Sequence, residues 1–201
     1  MSLALFTAFV AATTALMLIP GPNVALIVAN SLRFGVRGGL VTVLGTSAAM
    51  IVQLAVAALG VGALLGTLGR AFEALRWIGV AYLLVLGALA WVAPADDLSQ
   101  TQAVSPGKTF GRGFAVSLTN PKTLAFYAAF LPQFLDPAAP LGRQMAILSV
   151  TFVTTALIVD SGWAMLAGRA RGALARFGGA RNRLTGAVLV GAAVGLALAR
   201  R

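Results

Sequence analysis

Pro20-Gly21-Pro22-Asn23 and Asn120-Pro121-Lys122 interrupt two apolar stretches, one in each half of this chain. Proline has no backbone N–H to donate and disfavours a helical conformation of the residue before it, so each site predicts a break in a helix. Where a helix lies in lipid, such a break is tolerated only if protein groups or water satisfy the freed backbone groups. Two breaks in apolar surroundings therefore indicate a polar cavity inside a membrane.

The composition around these breaks is that of an integral membrane protein. Hydrophobic residues make up 59% of the 201 residues and charged residues 10%, whereas a soluble domain carries roughly 25% charged residues. Several apolar runs approach the ~20 residues that cross a bilayer. The first run begins at residue 3 without a basic segment before it, which predicts a retained span and not a cleaved signal peptide.

The apolar runs predict six spans, at residues 3–32, 39–68, 77–93, 110–135, 144–167 and 184–199. A polar linker, 95–108, divides the single membrane domain 1–201 into repeat one, 1–94, and repeat two, 109–201. Each repeat opens with a proline-broken span, and an odd number of spans per repeat makes the second repeat enter from the opposite face. The predicted fold class is therefore all-α, with six transmembrane helices in two inverted three-helix repeats, as in many secondary transporters.

The basic residues predict the orientation in the bilayer. Lys and Arg are enriched in cytoplasmic loops, and they are more frequent after spans one, three and five, including an arginine-rich loop at 169–183, than on the opposite face. The chain is thus predicted to cross the bacterial inner membrane with both termini outside. The net charge of +10 does not predict nucleic-acid binding, because the basic residues flank apolar runs that face anionic lipid.

Both breaks contain residues that start helices. Proline is favoured at the first helical position, and glycine or asparagine at the cap before it. A helix that restarts inside the membrane presents free N–H groups and about half a positive charge, which attract a carboxylate. The alternative is a pair of structural kinks. The residues predicted to bind the substrate carboxylate are Pro20, Gly21, Pro22, Asn23, Asn120, Pro121 and Lys122.

Three polar residues of the apolar runs fall at one predicted depth. Counted at 1.5 Å per residue, Asn23, Lys122 and Asp160 each lie roughly 13–15 Å from the predicted cytoplasmic face. Two interpretations of Asp160 stay open: a fixed ion-pair partner of Lys122, or a site for a proton or an ammonium group during transport. The further candidates for lining the cavity, with helix packing as the alternative, are Ser47, Gln53 and Phe126.

The residues that are absent exclude several kinds of chemistry. The chain has no cysteine and no histidine, and only five acidic residues. Thiolate and histidine chemistry is therefore excluded, and carboxylate pairs are hard to assemble. The prediction is a protein that is not an enzyme, with no catalytic residues, no metal and no cofactor. Glycine pairs at 62/66 and 191/195 suggest tight helix contacts or a homodimer.

At its motifs the chain resembles the LysE/RhtB family of amino-acid exporters. The resemblance covers nearly the whole sequence and rests on the segments 20–23, 34–40, 78–83, 110–114 and 118–122, with Gly45, Phe126 and Pro132. It implies export of amino acids such as lysine, arginine, homoserine, homoserine lactone or threonine from the bacterial cytoplasm, driven by the proton gradient. The alternatives are an exporter of another small solute and a membrane protein with a structural role.

Overall fold

The computed structural model describes residues 2–60, 105–136 and 138–174, together with positions 77, 81, 84, 85, 88, 91, 103, 187, 190, 191 and 194. Every regular element in these residues is helical, as the predicted all-α class requires. The α-helices are α1 (Leu3–Leu18), α2 (Pro22–Gly60), α3 (Pro106–Leu118), α4 (Pro121–Ala125) and α5 (Leu141–Leu174). A π-helical turn (Phe126–Phe130) and a 3₁₀ turn (Leu131–Phe134) extend α4.

The first apolar stretch is broken at its prolines. Ser2 starts α1 by accepting a hydrogen bond from Leu5 N at 3.3 Å, and the helix ends at Leu18. Ile19, which precedes Pro20, is extended with φ −71° and ψ 118°, as expected for a residue before proline. The helix restarts at Pro22, where a missing N–H costs nothing.

A single glycine turns α2 back on itself. Gly35 has φ 72° and ψ −175°, a conformation that is essentially restricted to glycine. Asn30 Nδ2 donates to Thr42 Oγ1 at 2.9 Å, although residues twelve apart on a straight helix would lie ~18 Å apart. The chain therefore reverses at Gly35, and α2 consists of two antiparallel arms, residues 22–34 and residues 36–60.

The second apolar stretch is broken in the same way, but its helix begins earlier than predicted. α3 starts at Pro106, inside the predicted linker 95–108 and ahead of the predicted span start at residue 110. Proline in the first helical turn favours this start. The helix ends at Leu118, and Asn120 caps α4 by accepting from Lys122 N at 3.0 Å.

The helices α2 and α3 pack closely through glycines. A Cβ atom at Gly45 would overlap the carbonyl oxygen of Phe110, and one at Gly113 would lie 2.7 Å from Thr42 O. Small residues that let backbones approach are typical of helix contacts in membranes. The second arm of α2 therefore lies against α3 backbone to backbone, and its other side packs on α5.

Replacing Gly45 with valine is expected to destabilise the fold. The new side chain would have to displace the α3 backbone, and such overpacking typically costs about 1–3 kcal/mol. Thermal unfolding of the detergent-purified variant measures the effect. The matched control is Gly111→Val, because a Cβ at Gly111 meets no atom within 4 Å. Equal melting temperatures for the two variants would contradict the close contact.

Two described helices, over Pro22–Ala58 and Leu141–Gly172, are long and apolar enough to cross a membrane. Because α2 reverses at Gly35, the part of α2 that is long enough to cross is its second arm, which at 1.5 Å per residue is ~37 Å long and exceeds the ~30 Å hydrocarbon core. Large apolar side chains on both helices point outward instead of into a core, as lipid contact requires; among them are Leu44, Ile51, Val56, Val150, Ile158 and Leu166.

The fifth predicted span is longer in the structure than its apolar core. α5 continues to Leu174, so the beginning of the arginine-rich segment 169–183 is helical and not a loop. Arginine is a good helix former; Arg169 is exposed at this end of α5, whereas Arg171 is buried.

Several predictions concern residues that are mostly outside the described part of the chain. These are the spans at 77–93 and 184–199, the end of the span at 39–68, most of the linker, and the glycine pairs proposed for a dimer, except Gly191. The isolated described positions in the two spans, such as Trp77 and Ala187, are helical. The six-span inverted repeat stays a prediction.

Candidate functional site

The two helix breaks meet in the interior of the molecule. Asn120 Nδ2 donates to Asn23 Oδ1 at 2.9 Å, across 97 residues of sequence. The Lys122 side chain reaches the other break, since its Nζ would lie 3.3 Å from a Cβ on Gly21. We call this polar region, formed by residues 21–23 and 120–122 with the side chains that bind them, the break junction.

Lys122 caps the end of α1. Its ammonium donates to Leu16 O at 2.9 Å and to Ile19 O at 2.8 Å. Carbonyl groups at the end of a helix lack partners within that helix and carry a partial negative charge, so a cation stabilises them. The sequence predicts that Lys122 reinforces an anion site; in this conformation two of its three N–H donors bind backbone carbonyls instead.

Gln53 caps the end of α3, the helix that precedes the second break. Its Nε2 donates to Ser117 O at 2.9 Å and to Leu118 O at 3.0 Å, the last carbonyls of α3. Its Oε1 accepts from Thr123 Oγ1 at 3.3 Å. Each interrupted helix is therefore capped by a side chain from the other half of the chain. Gln53, predicted as a cavity-lining candidate, has a capping role here.

The asparagine side chains bridge the two breaks. Asn23 Nδ2 donates to Ser117 Oγ at 3.1 Å, and Ser117 Oγ donates to Thr46 O at 3.0 Å. Asn120 is occupied by Asn23 and by its own helix. Both asparagine side chains therefore hold the junction together in this conformation.

Backbone N–H groups are available at the start of α2. The first N–H of this helix that finds a backbone partner within the described residues is that of Ala25, which donates to Gly21 O at 2.9 Å. Pro22 has no N–H, so the N–H groups of Asn23 and Val24 precede the hydrogen-bond ladder. Both residues are buried. This buried positive helix end suits a carboxylate.

Asp160 is the buried acid of the site. The residue is 1% exposed, and neither carboxylate oxygen has a hydrogen-bond partner among the described residues. A hydrogen-bonded ion pair with Lys122, one of the two sequence-based interpretations, is not formed in this conformation, although the two charges attract each other. A buried carboxylate raises the free energy of the protein unless a positive charge or hydrogen-bond donors compensate it. In this conformation Asp160 can therefore accept hydrogen bonds from a further group.

Ser47 and Phe126, the other two residues predicted to line the cavity, have different surroundings. Ser47 Oγ is buried without a hydrogen-bond partner in the described structure. Phe126 belongs to an aromatic cluster, in which its ring centroid lies 5.6 Å from that of Phe130 and 5.5 Å from that of Phe152. Phe126 is therefore a packing residue in this conformation, whereas Ser47 has an unused polar group.

Sequence reasoning missed Ser117 and Thr123. Both are buried, and both bind across the junction. The available signal was a hydroxyl residue within one helical turn on either side of Asn120. Ser and Thr inside helices usually bond to their own backbone, so this signal is weak without coordinates.

The junction offers binding chemistry. The described residues contain no group of three His, Cys, Asp or Glu side chains that could hold a metal ion. The site instead combines a carboxylate, an ammonium group and the positive end of a helix in buried surroundings. Opposite charges that attract each other in buried surroundings suit a small zwitterion.

Comparison with known proteins places the chain in context. The sequence model of a family described as LysE type translocator matches residues 14–200. A homoserine/homoserine lactone efflux protein of Salmonella typhimurium is 37% identical over 164 residues, covering 81% of this chain and 80% of that protein. A leucine efflux protein of Salmonella choleraesuis is 36% identical over 140 residues, or 68% of this chain and 66% of that protein.

An uncharacterized membrane protein of Vibrio cholerae aligns with the full length of both chains at 29% identity. No solved structure matches the chain.

Proposed function

This chain belongs to the LysE type translocator family, and from this membership we propose that it exports an amino acid or a close derivative from the bacterial cytoplasm. The proteins of this family are transporters and not enzymes, which confirms the sequence-based prediction on that point. The similar proteins named for homoserine, homoserine lactone and leucine efflux support both the substrate class and the outward direction.

The observation that carries the proposal is the break junction. Two interrupted helices meet at a buried polar site, and broken helices that meet in the lipid are typical of transporter binding sites. In our proposal the N–H groups of Asn23 and Val24, at the start of α2, hold the substrate carboxylate. The ammonium of Lys122, whose Nζ would lie 3.3 Å from a Cβ on Gly21, adds positive charge to the same end.

The two halves of the chain are proposed to form inverted repeats. The matched helix breaks support this, because the first span of each half stops and then restarts at a proline, Pro22 in one half and Pro121 in the other. Rocking of one repeat against the other would open the junction to each side in turn. The inner-membrane location, with both termini outside, follows from the distribution of Lys and Arg in the loops.

The proton gradient is proposed as the driving force. Asp160 is the acidic side chain buried next to the junction, and an intramembrane carboxylate is a common proton carrier in transporters. Binding a proton removes its charge and with it the attraction to Lys122. Protonation and substrate binding are thereby coupled through the same small group of charges.

Cells that produce this protein are expected to release at least one amino acid several-fold faster than cells without it. The test loads both strains with leucine, threonine and alanine as dipeptides, and with homoserine, and follows each compound in the medium. A protonophore should abolish the difference. If the protein reaches the membrane and none of these compounds leaves faster, the proposed substrate class is wrong.

A further inference from the structure

Three helices meet at a small apolar contact next to the break junction. Ile27 on the first arm of α2, Val43 on the second arm and Ala164 on α5 are buried together. The two arms run antiparallel, as the bond between Asn30 and Thr42 requires. The second arm and α5 also run antiparallel, because α2 residues beyond Val43 pack on α5 residues that precede Ala164.

One helical turn from this contact, each helix carries a buried polar residue. The positions are Asn23, four before Ile27; Ser47, four after Val43; and Asp160, four before Ala164. Residues four apart share a helix face and differ in height by ~6 Å. The directions of the helices make all three steps point the same way, so Asn23 and Ser47 lie at one level. Gly39 lies against Ala164, and Val36 lies against Gly168, so Asp160 is about one helical turn from the level of Ser47. Because side chains tilt toward the N-terminus of their helix, those of Ser47 and Asp160 lean toward each other.

The side-chain oxygens of Ser47 and Asp160 can accept further hydrogen bonds. Ser47 Oγ and both carboxylate oxygens of Asp160 have no hydrogen-bond partner in the described structure. Other hydroxyls of α2 bond to their own helix: Ser31 to Ile27 O, Thr42 to Gly38 O and Thr46 to Val43 O. Ser47 does not, and it is not hydrogen-bonded to Asp160 either, which leaves three acceptor oxygens within about one helical turn of each other.

We propose that Ser47 and Asp160 form the subsite for the primary ammonium group of the substrate. This inference rests on the proposed function. An ammonium group has three N–H donors, which match the three acceptor oxygens, and its charge compensates the buried carboxylate. The N–H groups of Asn23 and Val24, which precede the hydrogen-bond ladder of α2, begin at the level of Ser47, so one small molecule spans both subsites.

The arrangement defines a class of substrate. With Asp160 and Lys122 both charged, the site has no net charge, which suits a zwitterion. A compound that keeps its amine but loses its carboxylate, such as an ester or a lactone, still has the ammonium subsite. An N-acylated amino acid lacks the cation and leaves the buried carboxylate uncompensated, so it is excluded.

The test uses the purified full-length protein in liposomes and an amino acid that the cell assay has identified. Unlabelled amino acid, its methyl ester, its N-acetyl derivative and sodium ion compete with labelled amino acid for uptake. The amino acid and the ester are expected to compete, whereas the N-acetyl compound should be at least about tenfold weaker, the usual effect of losing a hydrogen-bonded charge. Competition by the N-acetyl compound at equal strength, or by sodium ion in its place, would overturn the ammonium subsite.

Ser47→Ala separates this role from a structural one. The variant should raise the KM about fivefold, as expected for one lost hydrogen bond, with an unchanged melting temperature, because Ser47 Oγ has no partner in the described structure to lose. Ser31→Ala, the same change at a hydroxyl bonded to its own helix, is the control and should keep the KM. An unchanged KM in Ser47→Ala would contradict the subsite while the export proposal still stands on the cell assay.

Discussion

Replacing Lys122 with alanine is expected to abolish export and also to weaken the fold. The change leaves the part-buried carbonyl of Leu16 and the exposed carbonyl of Ile19 without their donor, and a carbonyl left unpaired away from water typically costs about 1–3 kcal/mol. It also removes the positive charge beside the proposed carboxylate site. Since both losses reduce transport, alanine alone does not separate capping from substrate binding.

Lys122→Gln separates the two roles. Glutamine keeps an N–H donor, and Gln53 already caps the other broken helix with the same group. The variant should therefore recover most of the melting temperature, while export stays at least about tenfold below the wild type, the usual effect of losing a charged hydrogen-bond partner. The matched control is Lys108→Gln, at an exposed position near the start of α3. Wild-type export by Lys122→Gln would limit Lys122 to capping.

The second large effect is expected for Asp160→Asn. Asparagine has nearly the same volume but takes up no proton, so export should no longer respond to an imposed pH difference across a liposome membrane. In the wild type a pH difference of one unit supplies about 1.4 kcal/mol per proton, enough for a roughly tenfold change in the substrate ratio. The measurement is the initial rate of labelled substrate efflux with and without the gradient.

The charged groups around Asp160 make this residue the expected source of the response of export to the pH difference. Lys122 is the charged side chain that attracts it, and α1 contains no ionisable residue. Arg169 of α5 lies nine residues from Asp160, ~13 Å along the helix. Arg37 of α2 follows Val36, which lies against Gly168, eight residues from Asp160. Asp136→Asn, in the turn before α5, is the control, because asparagine can still accept from Ala138 N. Gradient-dependent efflux by Asp160→Asn would exclude Asp160 as the proton carrier.

The sequence predicts the breaks because proline acts locally. Its missing N–H and its effect on the preceding residue require no knowledge of the rest of the fold, and both helices restart at Pro22 and Pro121 as expected. The common depth of Asn23 and Lys122 also follows from counting residues, since the helix rise is constant.

The uses of the polar side chains are less predictable, because they depend on contacts between distant segments. A lysine in an apolar stretch suggests a ligand for an anion, yet Lys122 binds the carbonyls of α1. Nothing local to Gln53 indicates that it lies against the end of α3. The sharp turn at Gly35 could not be predicted from the sequence either. The segment around it contains several glycines, and only the structure shows that Gly35 is the one with a positive φ.

The reciprocal caps bear on how the protein is made. As the ribosome delivers the first half, the carbonyls of Leu16 and Ile19 enter the bilayer before Lys122 has been synthesised. The nascent chain must therefore keep this end hydrated, or shielded by the insertion machinery, until more than a hundred further residues have followed. Synthesis of the second half completes both caps together, so we expect a chain truncated before Lys122 to be degraded faster than the full-length protein.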